Sequence, residues 1–236
     1  MSDDTIPDPT SDAVSLFWDK RTAQLAALPD RGAAGGGARA GKHMNGIREL
    51  VASIFVEAGM PEEAIVREPY LPGYYRARKN WDLAVRYRGA LVAAFEFKSQ
   101  VGSVGKNISN RLEEALGAGT DAKEAQRKFE AFGDIPPWLG YVFVLEESSE
   151  TEKAGRHMSA LFPVDPAFHG MSYSQRYQEM IRRLMSDNVY QLGWFITTWI
   201  DDHGAVYYDE PLATATGKAF RAAVQGRVDY VRQVLG

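Results

Sequence analysis

Between residues 80 and 100, apolar and polar positions alternate with a period of two on either side of Gly89. This is the pattern of two half-buried strands joined by a tight turn. With a three-residue tip of Arg88, Gly89 and Ala90, Leu83 faces Phe95, Val85 faces Ala93 and Tyr87 faces Leu91. Every pair on that face is then apolar. The same register sets Asp82 opposite Glu96, with Lys98 two residues further along on the same side.

Elsewhere the pattern predicts helices and buried strands. Residues 1–12 are polar and acidic and read as a disordered tail. Residues 13–28 read as a helix with Val14, Phe17, Trp18, Leu25 and Leu28 roughly on one side. Residues 31–46, rich in Gly and Ala and carrying Arg39, Lys42 and His43, read as a mobile basic loop. Residues 47–58 form an amphipathic helix stopped by Gly59 and Pro61. A short strand at 65–66 precedes a loop rich in Tyr and Arg. After the hairpin, residues 107–116 have helical periodicity. Ile108, Leu112 and Leu116 share an apolar face, while Asn107, Asn110, Arg111 and Glu114 gather on another. Gly117 and Gly119 are expected to break this helix. A second helix then starts at Thr120, with Asp121 and Glu124 spaced as a capping box. Residues 139–145 form an apolar run expected of a strand buried on both faces. A helix at 173–185, strands at 194–200 and 205–208, and a helix at 216–235 complete an α/β sandwich. We expect one domain over 13–236, with helices and the Gly-rich loop at 13–60, the core at 61–150 and additions at 151–236.

Composition narrows the chemistry. The chain has 236 residues, 45% of them apolar, and no cysteine. Disulfide scaffolds and thiolate metal sites are therefore excluded. The longest apolar run, residues 192–200, is too short to span a bilayer, and the N-terminus is unlike a signal peptide. A soluble, cytoplasmic protein is expected. The net charge of −4 hides an uneven distribution. Residues 67–128 hold twelve Arg or Lys against seven Asp or Glu, a local excess of +5, and residues 1–30 carry −4. A basic cleft for nucleic acid is compatible with that distribution.

Like charges directly opposite one another on a sheet are destabilising. Setting Asp82 and Glu96 about 5 Å apart beside a lysine points to a divalent cation between them. Glu-x-Lys alone is a common accident, and the register with Asp82 is what gives it weight. The four histidines (His43, His157, His169 and His203) have no ligand spacing, so zinc is not expected. Gly36-x-x-x-x-Gly41-Lys42 imitates a phosphate-cradling loop but is followed by His43 instead of Ser or Thr, and no strand precedes it. Nucleotide binding is rejected. Glu49 and Glu57, on the helix that follows, are candidates for a further acid near the cation, although a solvated helix face explains them better.

An Asp followed on the next strand by Glu-x-Lys resembles the PD-(D/E)xK nuclease core, with Trp81 where that group commonly has Pro. The stretches WDL, EFKSQVG, N-x-x-N-R-x-E-E-A-L-G and GKHMNG resemble the XhoI family of type II restriction endonucleases. The resemblance implies a central mixed β-sheet flanked by helices, with additional helices and strands. It also implies a Mg²⁺-dependent homodimer that cuts double-stranded DNA at a palindrome, CTCGAG, leaving 5′-phosphates on 5′ overhangs. A cognate DNA methyltransferase is its implied genetic partner. A structure-specific or modification-dependent nuclease, or a DNA-binding module without catalysis, would share the core.

Under that chemistry, Asp82, Glu96 and the Phe97 carbonyl would be hard oxygen ligands for Mg²⁺. Lys98 would stabilise developing charge, or act as base if its pKa were depressed. Gln100 continues the same face and could meet water or phosphate. Lys106, Asn107, Asn110 and Arg111 are candidate DNA contacts, since Asn and Arg suit bases and phosphates. Lys42, Arg76, Arg78 and Lys79 are candidate phosphate clamps.

Overall fold

The computed structural model describes residues 8–26, 42–155 and 160–236. It begins with helices α1 (Pro9–Ala26) and α2 (Asn45–Glu57), followed by strands β1 (Ile65–Arg67), β2 (Tyr70–Leu71), β3 (Lys79–Asn80), β4 (Leu83–Tyr87) and β5 (Ala90–Gln100). Helix α3 (Val104–Phe129), strand β6 (Trp138–Glu146) and helix α4 (Tyr173–Ser186) come next. Strands β7 (Leu192–Ile200) and β8 (Val206–Asp209) and helix α5 (Gly217–Leu235) close the chain.

Six strands make one mixed sheet in the order β1-β4-β5-β6-β7-β8, and β2 pairs with β3 in a separate hairpin. Strands β5, β6 and β7 run parallel, and the outer pairs are antiparallel. The central strands read as continuous apolar runs because helices cover both faces. On one face Leu83, Phe95, Phe97, Val142 and Trp194 pack with α1, α2 and α5. On the other, Ala84, Ala94, Tyr141, Phe143 and Phe195 pack with α3 and α4. This is the helix-flanked mixed sheet expected of the nuclease core. No described helix is long and apolar enough to cross a membrane.

Three local expectations change. Helix α1 starts at Pro9, inside the stretch read as a disordered tail, since proline suits the first helical position. Asp8 Oδ1 accepts the Thr10 amide there at 3.0 Å. In the hairpin, the register shifts beyond Val85, so that Tyr87 pairs with Ala90 and not Leu91. Arg88 and Gly89 have φ of 46° and 86°. They form a two-residue turn whose twist matches the strands. The end that carries Asp82 keeps its expected register, with Leu83 opposite Phe95.

The third change is that α3 runs unbroken through Gly117 and Gly119. Its buried stripe is Ala115, Ala118, Ala122 and Ala125, while Leu112 and Leu116 are exposed. Small residues let the helix lie close to its neighbours. A Cβ at Gly119 would come 2.7 Å from Val189 Cγ1. The expectations for residues 1–7, for the 31–41 part of the Gly-rich loop with Arg39, and for His157 lie outside the described residues. Within that loop, residues 42–44 form a 3-10 turn leading into α2.

Helix α5 offers a direct check of the packing. A Cβ added at Gly226 meets nothing within 4 Å. Gly226→Ala is therefore expected to stabilise the protein by about 0.5–1 kcal/mol. Calorimetry should show a rise of roughly 1–4 °C in Tm, and a fall would mean that this face is covered.

Candidate active site

Strand alternation puts Phe95, Phe97 and Ser99 towards the α1, α2 and α5 layer, and Glu96, Lys98 and Gln100 towards α3. Asp82 lies one residue before β4. Its amide donates to the Phe95 carbonyl at 3.2 Å, and its Oδ2 accepts the Phe97 N–H at 2.8 Å. In an extended strand the N–H and C=O of one residue point the same way. The Phe97 carbonyl therefore opens towards Asp82, beyond the end of the β4 ladder.

Glu96 is 3% exposed and its carboxylate is bracketed by two ammonium groups. Lys98 Nζ lies 3.1 Å from Oε2, and Lys79 Nζ bonds Oε1. Lys98 also reaches Glu114 Oε2 on α3 at 3.8 Å. Lys79 sits over the buried Trp81 ring, 5.0 Å from its centroid. Burial, and then the charge of Glu96, push the Asp82 carboxyl above the usual aspartate range, against the Phe97 amide and both lysines. Burial opposes the charge on Lys98, but Glu96, Asp82 and Glu114 together outweigh it and raise its pKa above the usual lysine value. This direction favours the charge-stabilising role of Lys98 over that of a base.

Among the described residues, no three Asp, Glu, His or Cys side chains converge on one point. The donors available are two carboxylates and a carbonyl, all hard oxygens, with lysine ammonium groups supplying counter-charge. That set fits a hard divalent cation that keeps several waters. Nearby polar groups fit a hydrated site as well. Tyr141 pairs with Glu96 across β5 and β6. Its buried hydroxyl has no partner among the described residues, and neither do Gln100 Oε1 and Arg111 Nε. Burial, and then the Glu96 charge, raise the Tyr141 pKa. The phenol stays protonated and can donate a hydrogen bond.

The other expected residues divide. Arg111 joins the cluster through Glu114, at 2.8 Å. Asn107 donates to the Ser103 carbonyl at 3.1 Å, and Asn110 is exposed on the same helix. The side chain of Lys106 lies outside the described residues. Gln100 is buried, with its amide nitrogen donated to the Gly102 carbonyl. Arg76 is tied to Asp121, and Arg78 lies 4.4 Å above the Tyr70 ring. Lys42 is exposed beside His43, in the layer across the sheet from Glu96. Glu49 pairs with Arg67 and Glu57 with Arg221, so both acids are engaged on the α2 side, away from the carboxylate pair.

Three roles were not legible beforehand. Lys79, read as a DNA contact, belongs to the carboxylate cluster. His43 reaches Ser99 Oγ at 2.6 Å, and burial, then Arg21, push its pKa down to about 4. It is a neutral core group that pins the segment before α2 to β5. Asp121, read as part of a helix cap, is buried in mid-helix. Its position on the Ala118–Ala122–Ala125 stripe was the available signal.

A family model described as restriction endonuclease XhoI matches residues 25–208 of the chain. The chain is 38% identical over 179 residues to the type II restriction enzyme XhoI of Xanthomonas vasicola, covering 73% of this chain and 72% of that one. It is 36% identical over 163 residues to the type II restriction enzyme BstVI of Geobacillus stearothermophilus, covering 66% and 73%. It is also 36% identical over 179 residues to the type II restriction enzyme AbrI of Azospirillum brasilense, covering 69% and 79%. No solved structure matches the chain. The matched span includes Lys79, Asp82, Glu96, Lys98 and all of α3, and the chain therefore belongs to the XhoI family of type II restriction endonucleases.

Proposed function

We propose that this chain is a Mg²⁺-dependent endonuclease that hydrolyses both strands of DNA at the palindrome CTCGAG and leaves 5′-phosphates. The observation that carries this reading is the meeting of Asp82, Glu96 and Lys98 at one end of the β4–β5 pair, next to the Phe97 carbonyl. Asp82, Glu96 and that carbonyl would hold the cation. When bound there, Mg²⁺ supplies Lewis-acid polarisation of the scissile phosphate and eases deprotonation of the attacking water.

The rest falls to the chain's own groups. The Lys98 ammonium, held against Glu96, faces the negative charge that grows on the phosphate as water attacks phosphorus and the P–O3′ bond breaks. The 5′ product keeps the phosphate and the 3′ oxygen leaves as a hydroxyl. Lys79 neutralises the other Glu96 oxygen. The buried Tyr141 hydroxyl beside Glu96, without a partner among the described residues, is a donor available to a bound water. Arg111, Asn107 and Asn110 suit contacts to the duplex alongside α3, and Arg78 suits its phosphates. A two-fold symmetric site is most simply read by a two-fold symmetric protein, so we infer a homodimer. Family membership supports a cognate DNA methyltransferase as genetic partner.

The test is digestion of a sequenced plasmid carrying CTCGAG. Discrete fragments with 5′-phosphate ends are expected in Mg²⁺ or Mn²⁺, and none in EDTA. Fragments mapping to another sequence would remove CTCGAG, and cutting confined to branched or methylated DNA would replace the sequence-specific reading.

A further inference from the structure

The small β2–β3 hairpin holds an arrangement that hydrolysis does not require. Tyr75 is 71% exposed and Tyr74 45% exposed, and their rings meet edge to face with centroids 4.9 Å apart. Exposed tyrosines at a loop tip are ordinarily mobile, but these are fastened. Asp121, 2% exposed, accepts the amides of Tyr74 at 2.9 Å and Tyr75 at 2.6 Å through one oxygen. Its other oxygen takes Arg76 Nε at 2.9 Å. Gly73 leaves room for this carboxylate, since a Cβ there would come 2.1 Å from Asp121 Oδ2. A buried charge thus fixes the backbone from which two mutually packed aromatic rings project into water. That is preorganisation, which lowers the cost of binding.

The surroundings say what is bound. Residues 70–80 contain Arg76, Arg78 and Lys79 and no acid, and Lys128 lies over the Tyr74 ring at 5.7 Å. At the base of the hairpin, Lys79 bonds Glu96. Tyr75 is four residues from Lys79, at most about 14 Å of extended chain. The hairpin that carries Tyr75 therefore reaches, through Lys79, the place where a phosphate would be held.

We propose that Tyr75, backed by Tyr74 and locked by Asp121, is a rigid aromatic wedge that stacks on a base of the duplex close to the cut. This rests on the DNA-cleaving reading above. Arg76 and Lys79 are paired with Asp121 and Glu96, but Arg78 and Lys128 add positive charge beside the rings, and an exposed aromatic face next to such charge suits stacking combined with phosphate attraction.

The experiment is binding to a CTCGAG duplex in Ca²⁺, by anisotropy, across a range of salt. Tyr75→Ala is expected to bind about tenfold more weakly or worse with an unchanged salt slope, since no charge is lost. Tyr75→Phe should match wild type. In a scan of abasic substitutions around the cut, one should weaken wild type as much as Tyr75→Ala does, with no further loss when the two are combined. Tyr75→Phe as weak as Tyr75→Ala would make the hydroxyl the contact and overturn stacking. Tyr75→Ala equal to wild type, or a monomer by sedimentation where wild type is a dimer, would also overturn it. Failure of wild type itself to bind the duplex would instead remove the underlying reading, and the wedge with it.

Discussion

Asp82→Asn and Lys98→Ala are each expected to slow cleavage by about a hundred- to a thousandfold, yet to move stability in opposite directions. Asparagine keeps an acceptor for the Phe97 amide but removes a charge that its surroundings disfavour. A carboxyl whose folded pKa is raised gives up its proton more readily when unfolded. It therefore costs stability as pH rises through the interval between the two values, and the full cost is present at neutral pH. Asp82→Asn recovers that cost. The gain is up to about 1 kcal/mol, the scale of opposed like charges on a sheet, or roughly 2–4 °C in Tm. It should fade as pH falls through the aspartate range.

Lys98 has the opposite sign. Its ammonium is more strongly held in the folded state. The stability it contributes is complete below the pKa of a free lysine and is lost only as pH rises through the raised value. Lys98→Ala should cost about 1–3 kcal/mol near neutral pH, the scale of a charged hydrogen bond removed. Thermal melts in EDTA, paired with single-turnover cleavage in Mg²⁺, decide the matter. A destabilised Asp82→Asn protein, or wild-type cutting by either variant, would refute the assignment of this site.

Gly140→Ala is expected to disable the enzyme from beneath. Gly140 sits beside Phe95 across β5 and β6, where a Cβ would lie 2.1 Å from Phe95 Cε1 and 2.2 Å from Cδ1. The ring cannot swing away. It is fully buried and packed against Phe55, Phe97 and Phe220. Interiors at this density give way only with strain, so about 1–3 kcal/mol of stability should be lost. Any shift of β5 carries Glu96 with it, and cleavage should fall alongside Tm. An unchanged melting curve, with Gly226→Ala as the reference, would show that β6 moves aside freely.

The active hairpin was legible because its pairing is short-range. A slip of one residue would have turned Leu83, Val85 and Phe95 out of the core and the charged residues into it. Asp82, Glu96 and Lys98 were therefore placed on one face by the apolar residues between them. The hairpin tip departs from the expected register without disturbing the site, because the shift beyond Val85 lies at the far end of the ladder.

What the chain's order of residues determined by itself was the α/β class, most element positions, and the carboxylate pair beside a lysine, because local alternation and strand register dictate these. Tertiary structure decided which face of α3 is buried. Leucine and alanine stripes are equally periodic, and only the close approach of neighbouring elements selects the small side chains for the inside. It also decided what the cations do. Lys79 turns to Glu96 and Arg76 to Asp121, and Asp121 meets the amide of Tyr74 across 47 positions of sequence. Buried charges must find partners wherever the fold brings them, and at such separations no sequence period records the match.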